Sequence, residues 1–264
     1  QPAFQIEDHS MIETHHLSKH YDTKVAVRDL SLVVREGEIF GFLGPNGAGK
    51  STTVKMLTGM IFPTSGSALV AGFDILKEPV EVKKRIGYVP ESGALFESLT
   101  GWEYLQLIAD LHHLDRHVAG KRLEEFLHLF GLWDERGSRL QQYSKGMKQK
   151  ILISAALIAN PPVLFLDEPL NGLDANAALV FKELLKKFSG QGKTIFFTSH
   201  VLEVVERICT RIAIIDNGVI IAQGTAGEIA ESTGQRTLEE SFAKLTGVRD
   251  ARDSAQDFLE ALGT

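Results

Sequence analysis

A glycine-rich loop limits what this chain can fold into more than any other feature of its sequence. Residues 44–51 read GPNGAGKS and fit the pattern G-x-x-x-x-G-K-[ST]. The short apolar run 38–43 precedes them, and the segment 52–57 that follows has a composition suited to a helix. A buried strand, a tight loop and a helix start in this order predict a backbone cradle for phosphate groups.

The residue types in this loop indicate a triphosphate ligand. Gly44, Gly47 and Gly49 allow the backbone to curl so that successive N–H groups point into one concavity. Lys50 is expected to reach the β- and γ-phosphates, and the hydroxyl of Ser51 is expected to hold Mg²⁺. The alternative, a glycine-rich turn without a ligand, does not explain why a strand and a helix flank the loop.

The composition is that of an ordinary folded protein with one large domain or two small ones. The chain has 264 residues, of which 44% are hydrophobic and 23% charged, and its formal net charge is −6. The acidic balance argues against a dedicated nucleic-acid binder. One cysteine, Cys209, excludes an intrachain disulfide and fits a reducing, cytosolic compartment.

No apolar stretch approaches the ~20 residues of a membrane span. Residues 1–13 lack the apolar centre of a signal peptide. We therefore expect any membrane role to depend on a partner.

Strand-like and helix-like segments alternate over most of the chain. Predicted strands at 67–72, 85–90, 163–166, 194–198 and 212–216 alternate with helices, which indicates a largely parallel sheet covered on both faces. The segment 12–34 predicts short strands joined by a turn at 21–24, and 100–130 carries apolar residues at helical spacing. Further helices are expected at 144–159, 175–188, 201–207, 237–245 and 254–262.

Charged side chains follow two of these strands. Asp167 and Glu168 come directly after the apolar run 163–166, and His200 follows the strand at 194–198. Asp167 is expected to coordinate or orient Mg²⁺, and Glu168 to polarise or deprotonate an attacking water. A strand-end carboxylate pair can also cap the next turn, but beside a phosphate loop the catalytic interpretation is favoured. His200 is expected to hydrogen-bond a γ-phosphate and the glutamate.

The segment QYSKGMKQ at 142–149 predicts a second anion-binding helix start. Ser144 suits a helix N-cap, and Gly146 would allow a backbone N–H to approach a ligand. A plain cap accounts for Ser144 alone. It leaves unexplained why a second such site occurs without a second phosphate loop.

Taken in chain order, these motifs resemble those of the ATP-binding cassette family over residues 12–247. Segment 44–51 resembles its Walker A loop, 143–149 its signature, 164–168 its Walker B strand and 171–174 its D-loop. The resemblance implies an α/β fold: a P-loop NTPase core of the RecA-like type, with an N-terminal antiparallel β-subdomain and an inserted α-helical subdomain at about 92–160. It divides the chain into an N-terminal tail at 1–10, an ATP-binding domain at 11–247 and a C-terminal helical tail at 248–264.

The same resemblance implies ATP and Mg²⁺ as cofactors and assigns residues to them. The expected catalytic residues are Glu168, His200 and Lys50. The expected metal ligands are Ser51, Asp167 and Glu91. The residues expected to contact ATP, of which Tyr21 would lie under adenine, are Tyr21, Gly44, Asn46, Gly47, Ala48, Gly49, Lys50, Ser51, Thr52, Ser144, Gly146 and Asp174.

The family resemblance also implies partners. It predicts a head-to-tail dimer, expected to be a homodimer, in which Ser144 and Gly146 of one subunit complete the ATP site of the other. The dimer would drive an integral-membrane permease from the cytoplasmic face of the cell membrane, as a peripheral subunit that binds no nucleic acid. Similarity to ATPases of bacterial exporters with separately encoded permeases indicates export.

Three positions in two motifs depart from the family pattern. Lys145 and Met147 replace a glycine and a glutamine in the signature, and Glu91 stands where a glutamine is usual. An ionised glutamate still offers oxygen to Mg²⁺ but donates no hydrogen bond.

The main alternative is a soluble ATPase of the same superfamily that acts in DNA repair or translation. The short span between Lys50 and Ser144 and the single cassette argue against it. A small-molecule kinase would leave 143–149 and 171–174 unexplained, and a non-hydrolysing ATP sensor would not need Glu168 and His200.

Overall fold

The computed structural model describes residues 10–91 and 95–247, which contain ten strands, nine α-helices and a short 3₁₀ helix at Leu140–Gln142. The strands are β1 Ser10–Tyr21, β2 Lys24–Arg35, β3 Ile39–Leu43, β4 Ser65–Val70, β5 Phe73–Asp74, β6 Ile86–Val89, β7 Val163–Asp167, β8 Thr194–Thr198, β9 Arg211–Asp216 and β10 Val219–Gly224. The helices are α1 Lys50–Leu57, α2 Pro79–Arg85, α3 Gly101–Leu111, α4 Arg116–Leu129, α5 Lys145–Leu157, α6 Ala175–Gly190, α7 Leu202–Ile208, α8 Ala226–Thr233 and α9 Leu238–Thr246. The tail expected at 248–264, with its helix at 254–262, and residues 1–9 lie outside the described residues.

The central sheet has six strands in the order β10-β9-β3-β8-β7-β6. Neighbours from β9 to β6 are parallel, and β10 returns antiparallel to β9. Because parallel strands point the same way, the carboxyl ends of β3, β7 and β8 meet at one edge. This edge receives the glycine-rich loop after β3, the carboxylates after β7 and His200 after β8.

Three neighbouring strands of this sheet, β3, β8 and β7, are buried along their whole length, as their apolar sequences predict. The ring of Phe196 on β8 lies 5.7 Å from that of Phe40, 5.2 Å from Phe42 and 5.6 Å from Phe165, measured between centroids. Its neighbour Phe197 belongs to a separate core cluster on the other face. Apolar cores therefore cover both faces of the sheet.

A second sheet, ordered β2-β1-β4-β5, is antiparallel throughout. β1 and β2 form a hairpin in which Tyr21 pairs with Lys24, and Asp22 in its turn has a left-handed φ of 47°. Leu17 and Val27 of this hairpin share a core cluster with Phe42 of the central sheet. The antiparallel N-terminal part of the fold is confirmed.

Helices α3, α4 and α5 form the predicted helical insert. Leu105, Leu123 and Ile151 contribute one buried side chain from each helix, and they pack in the same cluster as Leu164 of β7. The insert therefore packs against the strand that carries the carboxylates. Ser144 caps α5 as predicted, because its Oγ accepts the N–H of Met147 at 3.2 Å.

Two short helices were not expected from the sequence. α2 has seven residues and α8 has eight, too few turns for an apolar period to stand out. Both carry local start signals, Pro79 in the first turn of α2 and a reciprocal Thr225–Glu228 capping box at α8.

Candidate active site

A cleft of about 250 Å³ opens at the carboxyl ends of the parallel strands. It brings together most of the residues that the sequence singled out, from four separate parts of the chain. Its lining residues are Tyr21, Lys24, Ala26, Asn46, Gly47, Gly49, Lys50, Ser51, Thr52, Glu91, Asp167 and Glu168.

The glycine-rich loop follows β3, and α1 starts from it at Lys50. Gly49 is the residue before the helix and has φ 112°, while Gly47 has φ 81°, both in the left-handed region that favours glycine. A Cβ on Gly44 would collide with the carbonyl oxygen of Ile215 on β9. The loop therefore needs these glycines for its path and for its close contact with the sheet.

The ammonium group of Lys50 lies inside this loop. Its Nζ donates to the carbonyl oxygens of Gly44 at 2.7 Å and Pro45 at 3.1 Å. Burial lowers the pKa of Lys50, and nearby carboxylates, first Glu168 and then Asp167, oppose that shift. The loop thus holds an ammonium group close to the carboxyl groups of Glu168 and Asp167.

Asp167 and Glu168 lie at the end of β7 with 3% and 7% of their surface exposed. Oδ1 of Asp167 accepts a hydrogen bond from the hydroxyl of Thr198 at 2.5 Å. Glu168 has φ 51°, a left-handed conformation that is unusual for a residue with a Cβ. This turn separates the two side chains after they leave the same strand end.

His200 is paired with Glu168, as the sequence predicts for two strand ends on one edge. Its Nδ1 lies 2.9 Å from Oε2 of Glu168, and 63% of the histidine side chain is exposed. Burial raises the pKa of the Glu168 carboxyl, and the hydrogen bond with His200 opposes the rise. A carboxylate with a raised pKa, held by an imidazole, is suited to accept a proton from water.

Tyr21 stands at the wall of the cleft, beside two residues that the sequence did not single out. The ring is 45% exposed, and the ammonium of Lys19 lies 5.0 Å from its centroid. Lys24 and Ala26 reach the cleft because the hairpin folds the start of β2 back beside Tyr21. The turn at 21–24 was the available signal, since it places residues on both sides of it next to each other.

Six of the expected ATP and catalytic residues do not line this cleft. Gly44 and Ala48 are buried at the base of the loop, where Ala48 donates its N–H to the carbonyl of Pro45 at 3.1 Å. His200 reaches the site through Glu168. Ser144 and Gly146 belong to the start of α5, and Ser144 is exposed there.

Asp174 is the sixth, and its contacts in the single chain are structural. It caps α6 by accepting the N–H of Ala177 at 2.8 Å, and it pairs with Lys150 of α5 at 2.9 Å. Gly146 approaches the same segment so closely that a Cβ there would collide with the carbonyl oxygen of Gly172. The helix start at Ser144 is therefore joined to the loop after Glu168.

Comparison with known proteins connects this geometry to a family. Residues 27–171 match the family model described as ABC transporter. The linearmycin resistance ATP-binding protein LnrL of Bacillus subtilis is 37% identical over 91% of this chain and 77% of its own length. The daunorubicin/doxorubicin resistance ATP-binding protein DrrA of Streptomyces peucetius is 39% identical over 86% of this chain and 69% of its own.

Solved structures agree with the fold. A structure of an ATP-binding subunit of an ABC transporter has a TM-score of 0.85 and 33% identity, and covers 89% of this chain and 99% of its own. A dimeric ATP-binding cassette in a post-hydrolysis state with ADP and Pi has a TM-score of 0.76 and 25% identity, over 81% and 98% of the two chains.

The alternative of a soluble ATPase of DNA repair or translation is not favoured by these relatives. The likeness covers the glycine-rich loop, the strand that carries the carboxylates and the whole helical insert. The chain belongs to the ABC transporter family, as an ATP-binding subunit that hydrolyses ATP.

Proposed function

We propose that this subunit hydrolyses ATP as a head-to-tail homodimer and thereby drives a separate membrane permease in the direction of export. The observation that carries the proposal is the division of the site within one chain. The loop, the carboxylates and His200 meet at one sheet edge, whereas the exposed Ser144 stands apart at the start of α5. A second copy would bring that helix start to the open side of the cleft.

Mg²⁺ fits the oxygen atoms around the cleft. Ser51, Asp167 and Glu91 line it, and among the described residues no group of three or more His, Cys, Asp and Glu could hold a metal alone. Mg²⁺ is usually held by one or two carboxylates together with substrate phosphates. The donor set therefore suits a metal that arrives with the nucleotide, where it would neutralise charge on the β- and γ-oxygens.

Side chains and backbone groups of the cleft would bind the nucleotide and activate the attacking water. Lys50 and the backbone N–H groups of the loop would bind the phosphates, and Tyr21 would stack against adenine. Glu168 would take a proton from the attacking water, because burial raises the pKa of its carboxyl toward the working range of a base. His200 would hold the Glu168 carboxylate in position through the 2.9 Å contact.

Ser144 and Gly146 would complete the γ-phosphate site of the partner subunit. The thirteen-residue helix α5 starts between them and directs its positive dipole end outward. Closure of the dimer would exclude water from the cleft and bring these donors to the transition state. Each subunit would then supply the half-site that the other lacks.

A mostly apolar groove gives the permease a place to bind. Its volume is about 470 Å³, and it lies between β6 and the helices α3 and α5, with Met60, Pro90, Tyr104, Ile108 and Leu152 among its lining residues. Pro90 lines this groove and the adjacent Glu91 lines the ATP cleft. A permease segment in the groove would thus contact the backbone that leads directly to a proposed metal ligand.

Location at the cytoplasmic face of the membrane would follow from this docking. Within 10–91 and 95–247, no helix is both long and apolar enough to cross a bilayer. The names of LnrL and DrrA associate those two proteins with resistance to linearmycin and to daunorubicin and doxorubicin, respectively. Their similarity supports export as the direction of transport.

The proposal is tested by coexpressing this chain with the membrane proteins encoded in neighbouring reading frames, purifying any complex that forms and reconstituting it in liposomes. Glu168→Gln is expected to keep ATP binding, lose turnover and accumulate as a dimer on ATP–Mg²⁺. Near-parental turnover by this variant would contradict the role of Glu168, and a variant that remains monomeric with the permease present would contradict the shared site.

Permease docking is tested separately in the groove. Met60→Glu should reduce copurification with the permease without changing ATP binding by the subunit alone. Ile221→Glu is the control, because Ile221 is also an exposed apolar residue but lies on β10, at the opposite edge of the sheet from β6. Equal copurification of both variants would contradict this docking site.

A further inference from the structure

A buried threonine at the end of β8 connects the two carboxylates of the site. Thr198 has no exposed surface, and it pairs with Asp167 in the parallel register of β7 and β8. Its Oγ1 donates to Oδ1 of Asp167 at 2.5 Å and accepts the N–H of Glu168 at 3.2 Å. One hydroxyl therefore uses its donor on the side chain of one residue and its acceptor on the backbone of the next.

The backbone of Glu168 depends on this kind of support. Its φ of 51° lies in the left-handed region, which is unfavourable for a residue with a Cβ. The carbonyl oxygen of Thr198 also accepts the Glu168 N–H, at 3.3 Å, so the hydrogen bond is shared between two atoms of one residue. Thr198 thus anchors the turn that decides where the Glu168 carboxylate points.

The same hydroxyl restricts the carboxylate of Asp167. Because it engages Oδ1, the other oxygen, Oδ2, can turn toward a cation without breaking this bond. Carboxylates that bind metals are commonly oriented by hydrogen bonds from residues that do not touch the metal. Thr198 stands in that position, since it does not line the ATP cleft that Asp167 and Glu168 line.

We infer that Thr198 is a positioning residue that orients the Mg²⁺-binding carboxylate and the catalytic glutamate through a single hydroxyl. This inference rests on the roles proposed above for Asp167 and Glu168. A positioning role differs from a purely structural one in what the hydroxyl affects. Removal of the hydroxyl should weaken metal binding at the site, and not only lower the stability of the chain.

The chain offers a matched control on the same strand. Thr194 also has no exposed surface, and its Oγ1 donates to the carbonyl oxygen of Arg35 at 3.2 Å. It lies at the opposite end of β8 from the carboxylates. A threonine-to-valine change at either position removes one buried hydroxyl and keeps nearly the same side-chain volume. Only the hydroxyl at position 198 contacts the site.

The experiment compares Thr198→Val, Thr198→Ser and Thr194→Val with the parent chain. For each variant, Mn²⁺ binding to the protein–ATP complex is titrated by electron paramagnetic resonance, and ATP binding is measured in EDTA. Turnover is measured against Mg²⁺ concentration. We expect Thr198→Val to weaken Mn²⁺ binding by about 10-fold or more and to lower turnover at saturating Mg²⁺, as changes to such partners commonly do.

ATP binding in EDTA should stay near the parental value in all three variants. Thr198→Ser keeps the hydroxyl and should restore Mn²⁺ binding, and Thr194→Val should leave it unchanged. Parental Mn²⁺ binding in a folded Thr198→Val variant would overturn the inference. If that variant does not fold, Thr198→Ala against Thr198→Ser makes the same comparison, because these two differ only in the hydroxyl, and equal binding would overturn the inference.

Asp167→Asn separates this inference from the proposed function. Its loss of Mn²⁺ binding, combined with parental binding in Thr198→Val, would overturn the positioning role alone. Parental Mn²⁺ binding in Asp167→Asn would instead contradict the proposed metal site itself.

Discussion

Lys50 places a charged group inside the glycine-rich loop proposed to bind phosphate, where carbonyl oxygens of Gly44 and Pro45 accept its hydrogen bonds. We expect Lys50→Ala to weaken ATP binding by about 1.5–3 kcal/mol, the range for hydrogen bonds to a charged group, or roughly 10- to 150-fold. Isothermal titration calorimetry measures this loss. Lys55→Ala is the control, because Lys55 lies on the same helix with an exposed side chain. Parental affinity in Lys50→Ala would contradict the assignment of the loop.

Glu168 makes stability depend on pH. Burial raises the pKa of its carboxyl in the folded state, so between the ordinary glutamate value and the raised pKa the folded chain binds more protons than the unfolded chain. The free energy of unfolding therefore falls as pH rises through this window. Glu168→Gln removes the titrating group, and we expect it to gain thermal stability over the parent at about pH 8 but little at about pH 4.5.

Glu81 provides a control of opposite sign for this comparison of thermal stability, which is measured by calorimetry at both pH values. Hydrogen bonds from Lys84 and Arg85 lower the pKa of its carboxyl, so its contribution is present above the ordinary glutamate value and is lost as pH falls through the lowered one. Glu81→Gln should therefore be less stable than the parent near neutral pH and closer to it in acid. A Glu168→Gln difference that is independent of pH would contradict the raised pKa.

At the scale of elements, the start of α5 has a structural role and a proposed functional one. Ser144 caps this helix as Thr225 caps α8, each accepting a backbone N–H at 3.2 Å. Ser144→Ala and Thr225→Ala should each lower the free energy of unfolding by about 0.5–2 kcal/mol. Only Ser144→Ala should also lose ATP-dependent dimerisation in the Glu168→Gln background, measured by light scattering. Equal dimerisation in the two variants would mean that Ser144 only caps the helix and does not complete an ATP site.

The elements that the sequence predicted are those with strong local signals. The runs 163–166 and 194–198 are apolar throughout, so β7 and β8 and the residues after them could be placed at one sheet edge, and the Glu168–His200 contact followed. Lys24 was missed because only the folded hairpin brings it beside Tyr21. Thr198 was missed because its hydroxyl meets the carboxylates through the register of two strands that are distant in sequence.

At the scale of the whole molecule, each chain contains two surfaces that would act in different ATP sites. One is the start of α5, and the other is the loop that follows Glu168. Lys150 pairs with Asp174 at 2.9 Å, and the amide of Gln149 donates to the carbonyl of Pro169 at 2.9 Å. The start of α5 is thus fastened to the loop that begins directly after Glu168. A partner's nucleotide that contacts Ser144 would therefore act on the segment next to this chain's own Glu168, the proposed catalytic base.

The head-to-tail dimer predicts a result that a site formed within one chain would not give. Lys50→Ala subunits lack a working phosphate loop but keep Ser144, whereas Ser144→Ala subunits keep Lys50. In a mixed dimer, one of the two sites combines the intact loop of one subunit with the intact helix start of the other, so we expect a mixture of the two inactive variants to regain ATPase activity. Phosphate release from the mixture, with the Lys50→Ala/Ser144→Ala double variant as control, measures this gain. Activity no higher than that of the separate variants would mean that loop and helix start do not meet across two subunits.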